Sequence, residues 1–145
     1  MSTKEGRARK WAKYVSVVCG GPRLVRDGVA RVSPSSEGFS DPGFYHPAAR
    51  SAIGVTKENK LLLVTVNKAI YLSHMARIMR DLGAVDAMNL DGGGSTALYC
   101  GGIVPSHPGR RLTNLIVVYD SLAKFARTKP IFCPQPVIAS TSSRS

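Results

Sequence analysis

The residues best suited to chemistry lie in 89–96, Asn-Leu-Asp-Gly-Gly-Gly-Ser-Thr, where an apolar run ends in a carboxylate and three consecutive glycines. Adjacent glycines are costly to order, so this stretch predicts a backbone conformation or a close approach that side chains would block. The N–H groups of residues 92–94 could then converge into an anion-binding nest with Asp91 at its mouth. The alternative is a glycine-rich hairpin turn in which Asp91 only accepts backbone hydrogen bonds.

Two arginines are candidates for binding a phosphate. Arg50 and Arg110 each open an apolar run after a long loop, so both could project toward one rim. The planar guanidinium group suits this task because it donates to two phosphate oxygens at once. The alternative is that each arginine caps a strand or pairs with an exposed carboxylate.

Other chemistries find little support. A second carboxylate to partner Asp91 is not evident, because Asp27 falls in a hairpin turn and Glu37 and Asp41 fall in an irregular loop. Ser95 is not in a G-x-S-x-G elbow, and no lysine follows the glycines as in a P-loop. No His, Cys or carboxylate cluster has metal-ligand spacing, so we expect no metal and no cofactor. Weak binding of a hard cation such as Ca²⁺ at Asp91 is the alternative.

The elements that position Asp91 form a strand, a helix and a second strand. Residues 61–66 are apolar throughout, as in a central strand, and 84–90 are a second buried strand. Between them the spacing of apolar residues predicts an amphipathic helix that ends before Gly83. The apolar positions are Leu72, Met75, Ala76, Met79 and Leu82. This βαβ crossover has parallel strands and places Asn89 and Asp91 at the carboxyl end of one of them, where open sheets tend to bind ligands.

The rest of the chain is predicted as hairpins, loops and tails, giving an α/β class of mixed α+β type with a mixed sheet. A strand at 15–19 precedes a hairpin turned at Asp27-Gly28, and a long irregular loop covers 33–49. The remaining predictions are a hairpin of 51–55 with 61–66, a last core strand at 115–119, a helix at 121–127 with Asp120 as its N-cap, and a disordered tail at 140–145.

Length and composition fit one domain between two basic tails. The chain has 145 residues and a net charge of +11, but five basic residues face one acidic residue in 1–14 and four face none in 121–145. Residues 15–120 are nearly balanced, with eleven basic and eight acidic residues, so we expect no specific nucleic-acid partner. The three cysteines lack a CxxC pair, and no run is long enough for a membrane span or a secretion signal.

Several motifs together resemble the phosphodiester glycosidase domain family, to which the lysosomal mannose 6-phosphate uncovering enzyme belongs. The matching stretches are Gly-Gly-Pro-Arg-Leu-Val-Arg-Asp-Gly at 20–28, Arg-Ser-Ala-Ile-Gly-Val at 50–55, Leu-Gly-Ala at 82–84, the motif at 89–96, and Arg-Arg-Leu-Thr-Asn at 110–114. The resemblance covers about residues 15–120. Family members carry an additional N-terminal half, so the domain is expected to be incomplete. Asn67-Lys68-Ala69 and Gly109 also depart from the family pattern.

The resemblance implies hydrolysis of a sugar 1-phosphodiester in a glycan, lipid-linked sugar or exopolysaccharide. It implies catalytic roles for Asp91, Asn89 and Arg110. Substrate or phosphate would be bound by Arg50, Gly92, Gly93, Gly94, Ser95 and Asn114.

Two other functions remain open, a non-catalytic module that binds sugar phosphates and a polyanion-binding protein driven by the basic tails. An incomplete domain also predicts an exposed sheet edge, hence a homo-oligomer or a complementing N-terminal half. Family members usually act outside the cytosol, whereas this chain shows no export signal, so its localisation is not predicted.

Overall fold

A computed structural model of the chain describes residues 17–132. These residues form a five-stranded sheet with a helix on one face, a two-stranded sheet and a second helix, and they divide into two compact units between Leu112 and Thr113. The elements are β1 (Arg23–Arg26), β2 (Val29–Ala30), β3 (Ala48–Thr56), β4 (Leu61–Ile70), α1 (Leu72–Asp81), β5 (Ala84–Asn89), β6 (Leu98–Cys100), β7 (Ile103–Ser106) and α2 (Leu122–Phe132).

The main sheet has the strand order β2-β1-β5-β3-β4, and each neighbouring pair is antiparallel. The mixed α+β class is confirmed, and β4, α1 and β5 form the predicted crossover, since β4 and β5 both run antiparallel to β3. These two parallel strands are not neighbours, because β3 lies between them. The sheet is therefore antiparallel at every pairing rather than mixed.

Both predicted hairpins are present. Asp27 and Gly28 have φ values of 51° and 76°. A two-residue hairpin turn whose twist matches that of its flanking strands requires positive φ at both positions. Asn59, with φ of 57°, sits in the turn between β3 and β4. In the second hairpin Ala52 pairs with Val64 and Gly54 with Leu62, which fixes which side chains of β3 face the helix.

Helix α1 covers one face of the sheet and closes the core. Met75 and Met79 are fully buried, and the missing side chain of Gly54 makes room for Met79, whose Cε would lie 2.8 Å from a Cβ there. Gly83 follows the helix with φ of 88°, the left-handed conformation predicted for the residue after a helix end. The other core residues are Leu24, Val25, Ala52, Leu72, Ala76, Ala84 and Ala87.

The prediction of a central position for residues 61–66 is wrong, because β4 forms one edge of the sheet. Leu61 is 49% exposed, and most other residues of the strand are half-buried or exposed. An apolar run looks the same in an edge strand as in a central one, since pairing with distant strands decides its position. Among residues 17–132, β4 pairs with no strand on its outer side; the exposed edge expected from an incomplete domain stays a prediction.

Two predicted strands are absent among the described residues. Residues 17–19 are irregular, and positions 15 and 16 lie outside the described range, as do the tails at 1–14 and 140–145. Residues 115–119 have no strand partner, and Leu115 and Val118 are 66% and 58% exposed. A β-branched apolar run favours an extended backbone, but a strand also needs a neighbour to accept its hydrogen bonds.

Helix α2 is longer than predicted and begins differently. Its cap is Ser121, whose Oγ accepts a hydrogen bond from the Lys124 N–H at 3.3 Å. Asp120 instead pairs with the Lys124 ammonium at 2.7 Å, and that hydrogen bond lowers the pKa of the Asp120 carboxyl below its usual value. Within residues 17–132, neither helix combines the length and apolar character needed to cross a bilayer.

Candidate active site

The glycine loop, residues 91–95, follows directly from β5 and uses two of its glycines for different reasons. A Cβ on Gly92 would lie 2.7 Å from the backbone oxygen of Ala49 in β3, so any side chain would collide with the sheet. Gly93 has φ of 57° and starts a short 3₁₀ turn, Gly93–Ser95. Gly94 has neither constraint, since its nearest neighbour would be Arg110 Cγ at 3.9 Å.

Asn89 is the last residue of β5 and joins the loop to the Gly20-Gly21 segment. Its backbone oxygen accepts the Gly21 N–H at 2.8 Å, and its side-chain Nδ2 donates to the Gly21 oxygen at 3.1 Å. Asn89 is only 3% exposed, and its Oδ1 has no hydrogen-bond partner among the described residues. A buried acceptor without a partner is costly, so this oxygen is a strong candidate for receiving a ligand's hydrogen bond.

Asp91 is held on both carboxylate oxygens. Oδ1 accepts the N–H of Gly92 at 3.0 Å, and Oδ2 pairs with Nη2 of Arg110 at 2.7 Å. Arg110 is itself fixed, since its Nε donates to the Ser95 Oγ at 2.7 Å. The pair is largely exposed, so it adds little stability but orients the carboxylate.

The segment that carries Gly109 and Arg110 is hydrogen-bonded to the glycine loop next to this ion pair. The N–H of Gly109 donates to the Gly94 oxygen at 2.8 Å, which sets the backbone that carries Arg110. The buried Ser106 hydroxyl donates to Asn67 Oδ1 at 2.6 Å, and the Thr96 oxygen lies 3.2 Å from the same hydroxyl. Asn67 thus links β4 to the segment after the loop.

Arg50 is buried, and its donors bind the backbone rather than a carboxylate. Its Nε donates to the Ile70 oxygen at 3.3 Å, and its Nη2 donates to the oxygens of Gly43 and His46. Nη1 has no hydrogen-bond partner among residues 17–132. Burial lowers the pKa of Arg50, but a guanidinium starts from so high a value that it stays charged at neutral pH.

An open cavity of about 660 Å³ lies between the glycine loop and the loop that joins β2 to β3. Of the predicted site residues, it brings together Asn89, Asp91, Gly92, Gly93 and Arg50. Arg110, Ser95 and Gly94 do not line the cavity and adjoin it through their contacts with Asp91 and the loop. Asn114 belongs to the second compact unit, and its role stays a prediction.

The sequence analysis assigned no site role to Asp41 or Phe39, which both line the cavity. Asp41 was assigned to an irregular loop, and its Asp-Pro-Gly context is typical of a turn; its Oδ1 does accept the Gly43 N–H at 2.6 Å. Its Oδ2 has no partner among the described residues. Only the long-range fold places this carboxylate in the same cavity as Asp91. Within the described range, no three His, Cys, Asp or Glu residues group as metal ligands.

Comparisons with known proteins agree with this architecture. A curated relative, the mouse (Mus musculus) N-acetylglucosamine-1-phosphodiester alpha-N-acetylglucosaminidase, is 36% identical over 66 residues, which are 42% of this chain and 13% of the mouse protein. A crystal structure of a hypothetical protein from Synechocystis is 36% identical, with a TM-score of 0.54, over 61% of this chain and 17% of that one.

The zebrafish enzyme of the same name as the mouse protein, solved as a catalytic domain auto-inhibited by its pro-peptide, is 28% identical. Its TM-score is 0.54, over 63% of this chain and 34% of that domain's chain. The chain therefore spans a minor part of each of these relatives. The phosphodiester glycosidase family model matches residues 3–119, and the chain belongs to the phosphodiester glycosidase family.

Proposed function

We propose that this chain hydrolyses a sugar 1-phosphodiester of the kind named for its mouse relative, an α-N-acetylglucosamine 1-phosphodiester. In this reaction the bond between the anomeric carbon and the phosphate oxygen breaks. Water supplies a hydroxyl group to the anomeric carbon and a proton, and the phosphate leaves as a monoester. Family membership supports the reaction class, and the cavity supports the assignment of residues.

The observation that carries the proposal is the fixed Asp91 carboxylate at the cavity. Its two oxygens are oriented by Gly92 and Arg110, so the carboxylate keeps one direction. A carboxylate placed in this way can stabilise the positive charge that develops at the anomeric carbon. Fixing it in advance avoids reorganisation during the reaction.

The phosphate has donors near Asp91. The N–H group of Gly93, which lines the cavity, donates to no described residue and is a backbone donor beside the carboxylate. Arg50 Nη1 is a second donor, because the other donors of this side chain are bound to backbone oxygens. Asn89 Oδ1 is the acceptor for a sugar hydroxyl or the N-acetyl N–H.

Asp41 fits the role of the second carboxylate. The Gly43 N–H holds Oδ1 and leaves Oδ2 for a proton from the attacking water. Asp41 lies in the same cavity as Asp91, as a reaction with an acid–base group and a charge-stabilising carboxylate requires. Phosphate is a good leaving group, so protonation of the leaving oxygen contributes less than in an ordinary glycoside.

A non-catalytic module that binds sugar phosphates is the second candidate. The contacts of the two arginines favour it. Arg50 donates mostly to backbone oxygens and Arg110 is paired with Asp91, so neither guanidinium is fully free to neutralise the charge of a departing phosphate. Such a site would hold a ligand without turning it over. The outer edge of β4, which pairs with no other strand of residues 17–132, also supports a complementing chain or self-association, and sedimentation of the purified protein would reveal self-association.

The deciding experiment measures hydrolysis of UDP-N-acetylglucosamine and of a chromogenic α-N-acetylglucosamine 1-phosphodiester. We compare the wild-type chain with Asp91→Asn, Asp41→Asn and Arg110→Ala. Asp81→Asn and Arg80→Ala are matched controls, because Arg80 and Asp81 form an exposed ion pair at 2.8 Å on α1, away from the cavity lining.

We expect Asp91→Asn to lower kcat about 10²- to 10⁴-fold and the control pair to leave it unchanged. Arg110→Ala should cost roughly 10²-fold, since it releases the carboxylate from its fixed position. Absence of turnover by folded wild-type chain, with sugar phosphate still bound, would replace the hydrolase with the binding module. Equal losses in Asp91→Asn and Asp81→Asn would refute the assignment of the site.

A further inference from the structure

The cavity is lined by polar groups and by two aromatic rings, and the chemistry proposed so far uses only the polar groups. The polar groups include Asn89, Asp91 and Asp41, whereas the rings are those of Phe39 and Phe44. We infer that Phe39 is the platform on which the pyranose ring of the substrate stacks. The inference rests on the proposed sugar-phosphate function and assigns the part of the site that recognises the sugar.

The Phe39 ring has a defined position. A Cβ built on Gly21 would lie 2.3 Å from Phe39 Cζ and 2.7 Å from Cε2, so the tip of the ring rests on backbone that only glycine leaves uncovered. The Phe44 ring meets it edge to face, with centroids 5.1 Å apart and planes at 65°. Two residues before Phe39, the Glu37 carboxylate accepts the Arg23 N–H at 3.1 Å and ties the loop to β1.

The surroundings of Phe39 select a sugar rather than a purely apolar ligand. A pyranose has an apolar face of C–H groups and a rim of hydroxyls, so it fits an aromatic ring beside hydrogen-bonding groups. Asn89 supplies an unpartnered acceptor, and Asp91 and Asp41 supply carboxylate oxygens, all in the lining that contains Phe39. The volume of about 660 Å³ accommodates a sugar together with its phosphate.

Packing alone is the competing explanation for Phe39, because the ring covers Gly21. It predicts that any apolar side chain of similar size would serve, and that substitution would change stability without selecting among ligands. Stacking predicts that a flat ring is required, and only for ligands that carry a sugar. The two explanations therefore differ in a binding measurement that includes a ligand without a sugar.

The test is calorimetric titration of the full chain with N-acetylglucosamine α-1-phosphate and, separately, with inorganic phosphate. The variants are Phe39→Leu, Phe39→Met and Phe39→Tyr, and thermal unfolding of each verifies the fold. Tyr45→Leu is the matched control, because Tyr45 is a 48% exposed aromatic residue of the same loop that does not line the cavity.

We expect Phe39→Leu and Phe39→Met to weaken sugar-phosphate binding about 3- to 10-fold, Phe39→Tyr to retain wild-type affinity, and Tyr45→Leu to change nothing. Inorganic phosphate should bind all variants alike. Unchanged sugar-phosphate affinity, equal weakening for both ligands, or no sugar-phosphate binding by the wild type would overturn the inference. The expected binding pattern without turnover would refute the hydrolase and leave the platform in place.

Discussion

Replacing Gly92 with alanine tests whether the glycine loop must touch the sheet. The added Cβ would lie 2.7 Å from the Ala49 oxygen, 0.7 Å short of an ordinary contact at 3.4 Å. The oxygen belongs to the backbone and the position of a Cβ is fixed by the backbone, so no side-chain rotation relieves the contact, and β3 or the loop must shift. Overpacking of this kind costs about 2–3 kcal/mol, which lowers Tm by roughly 5–10 °C in a domain of this size.

Gly94→Ala is the matched control, because it makes the same chemical change two residues away. Its Cβ would meet Arg110 Cγ at 3.9 Å, an ordinary contact, and its φ lies outside the left-handed region. We expect a Tm within about 2 °C of wild type, or slightly higher through the reduced entropy of the unfolded chain. Differential scanning calorimetry of both variants is the assay. Equal Tm values would refute the argument that contact with β3, and not loop flexibility, requires Gly92.

Three further predictions concern the groups around the cavity. Gly21→Ala should destabilise the chain by pushing Phe39 away. In the Phe39→Ala background the same substitution should cost at least about 1 kcal/mol less unfolding free energy, as a double-mutant cycle measures; strict additivity would contradict this contact. Arg50→Lys should lower the free energy of unfolding, measured with urea, by about 2–3 kcal/mol, because one ammonium cannot donate to all three carbonyl oxygens that the guanidinium binds. A near-neutral result would indicate that Arg50 has a ligand-binding role and no structural one. Arg110→Ala should lose less than about 1 kcal/mol of unfolding free energy, since its pair with Asp91 is exposed, although turnover falls far more; a large stability loss would make Arg110 a structural residue.

Local patterns predicted the parts of the fold that depend on neighbouring residues. The spacing of Met75 and Met79 located α1, and Gly83 located its end, because a helix face repeats within one turn. The Asp27-Gly28 turn likewise identified the first hairpin. In each case the deciding interactions join residues a few positions apart.

The remaining features depend on contacts between distant residues, which no local pattern encodes. The run at 61–66 has the composition of a central strand yet lies at an edge, since β5 and not β4 takes the place between β1 and β3. The run at 115–119 has the composition of a strand but no partner among the described residues.

The candidate site shows the same limit. The motif at 89–96 pointed to Asn89 and Asp91, whose roles stay predictions. Arg110 pairs with Asp91 across 19 positions, which matches the alternative stated for this arginine, an ion pair with an exposed carboxylate. Arg50 was read as a phosphate ligand because it opens an apolar run, but its burial among backbone oxygens depends on His46 and Ile70, which lie on separate segments. The sequence does not favour Asp41 as a second carboxylate, because it falls in an irregular loop and Asp91, which lines the same cavity, is 50 residues away.

The place of β5 between β1 and β3 has a consequence for how the chain folds during synthesis. Among the described residues, the hairpin β1–β2 and the hairpin β3–β4 have no pairing with each other and are joined in the sheet through β5. Because β5 ends at Asn89, the five-stranded sheet cannot form before that residue leaves the ribosome. Until then β1 lacks its second neighbour, which lies more than 60 positions downstream. A nascent chain arrested before β5 should therefore expose two detached hairpins to chaperones and proteases, while one arrested after the glycine loop should resist digestion.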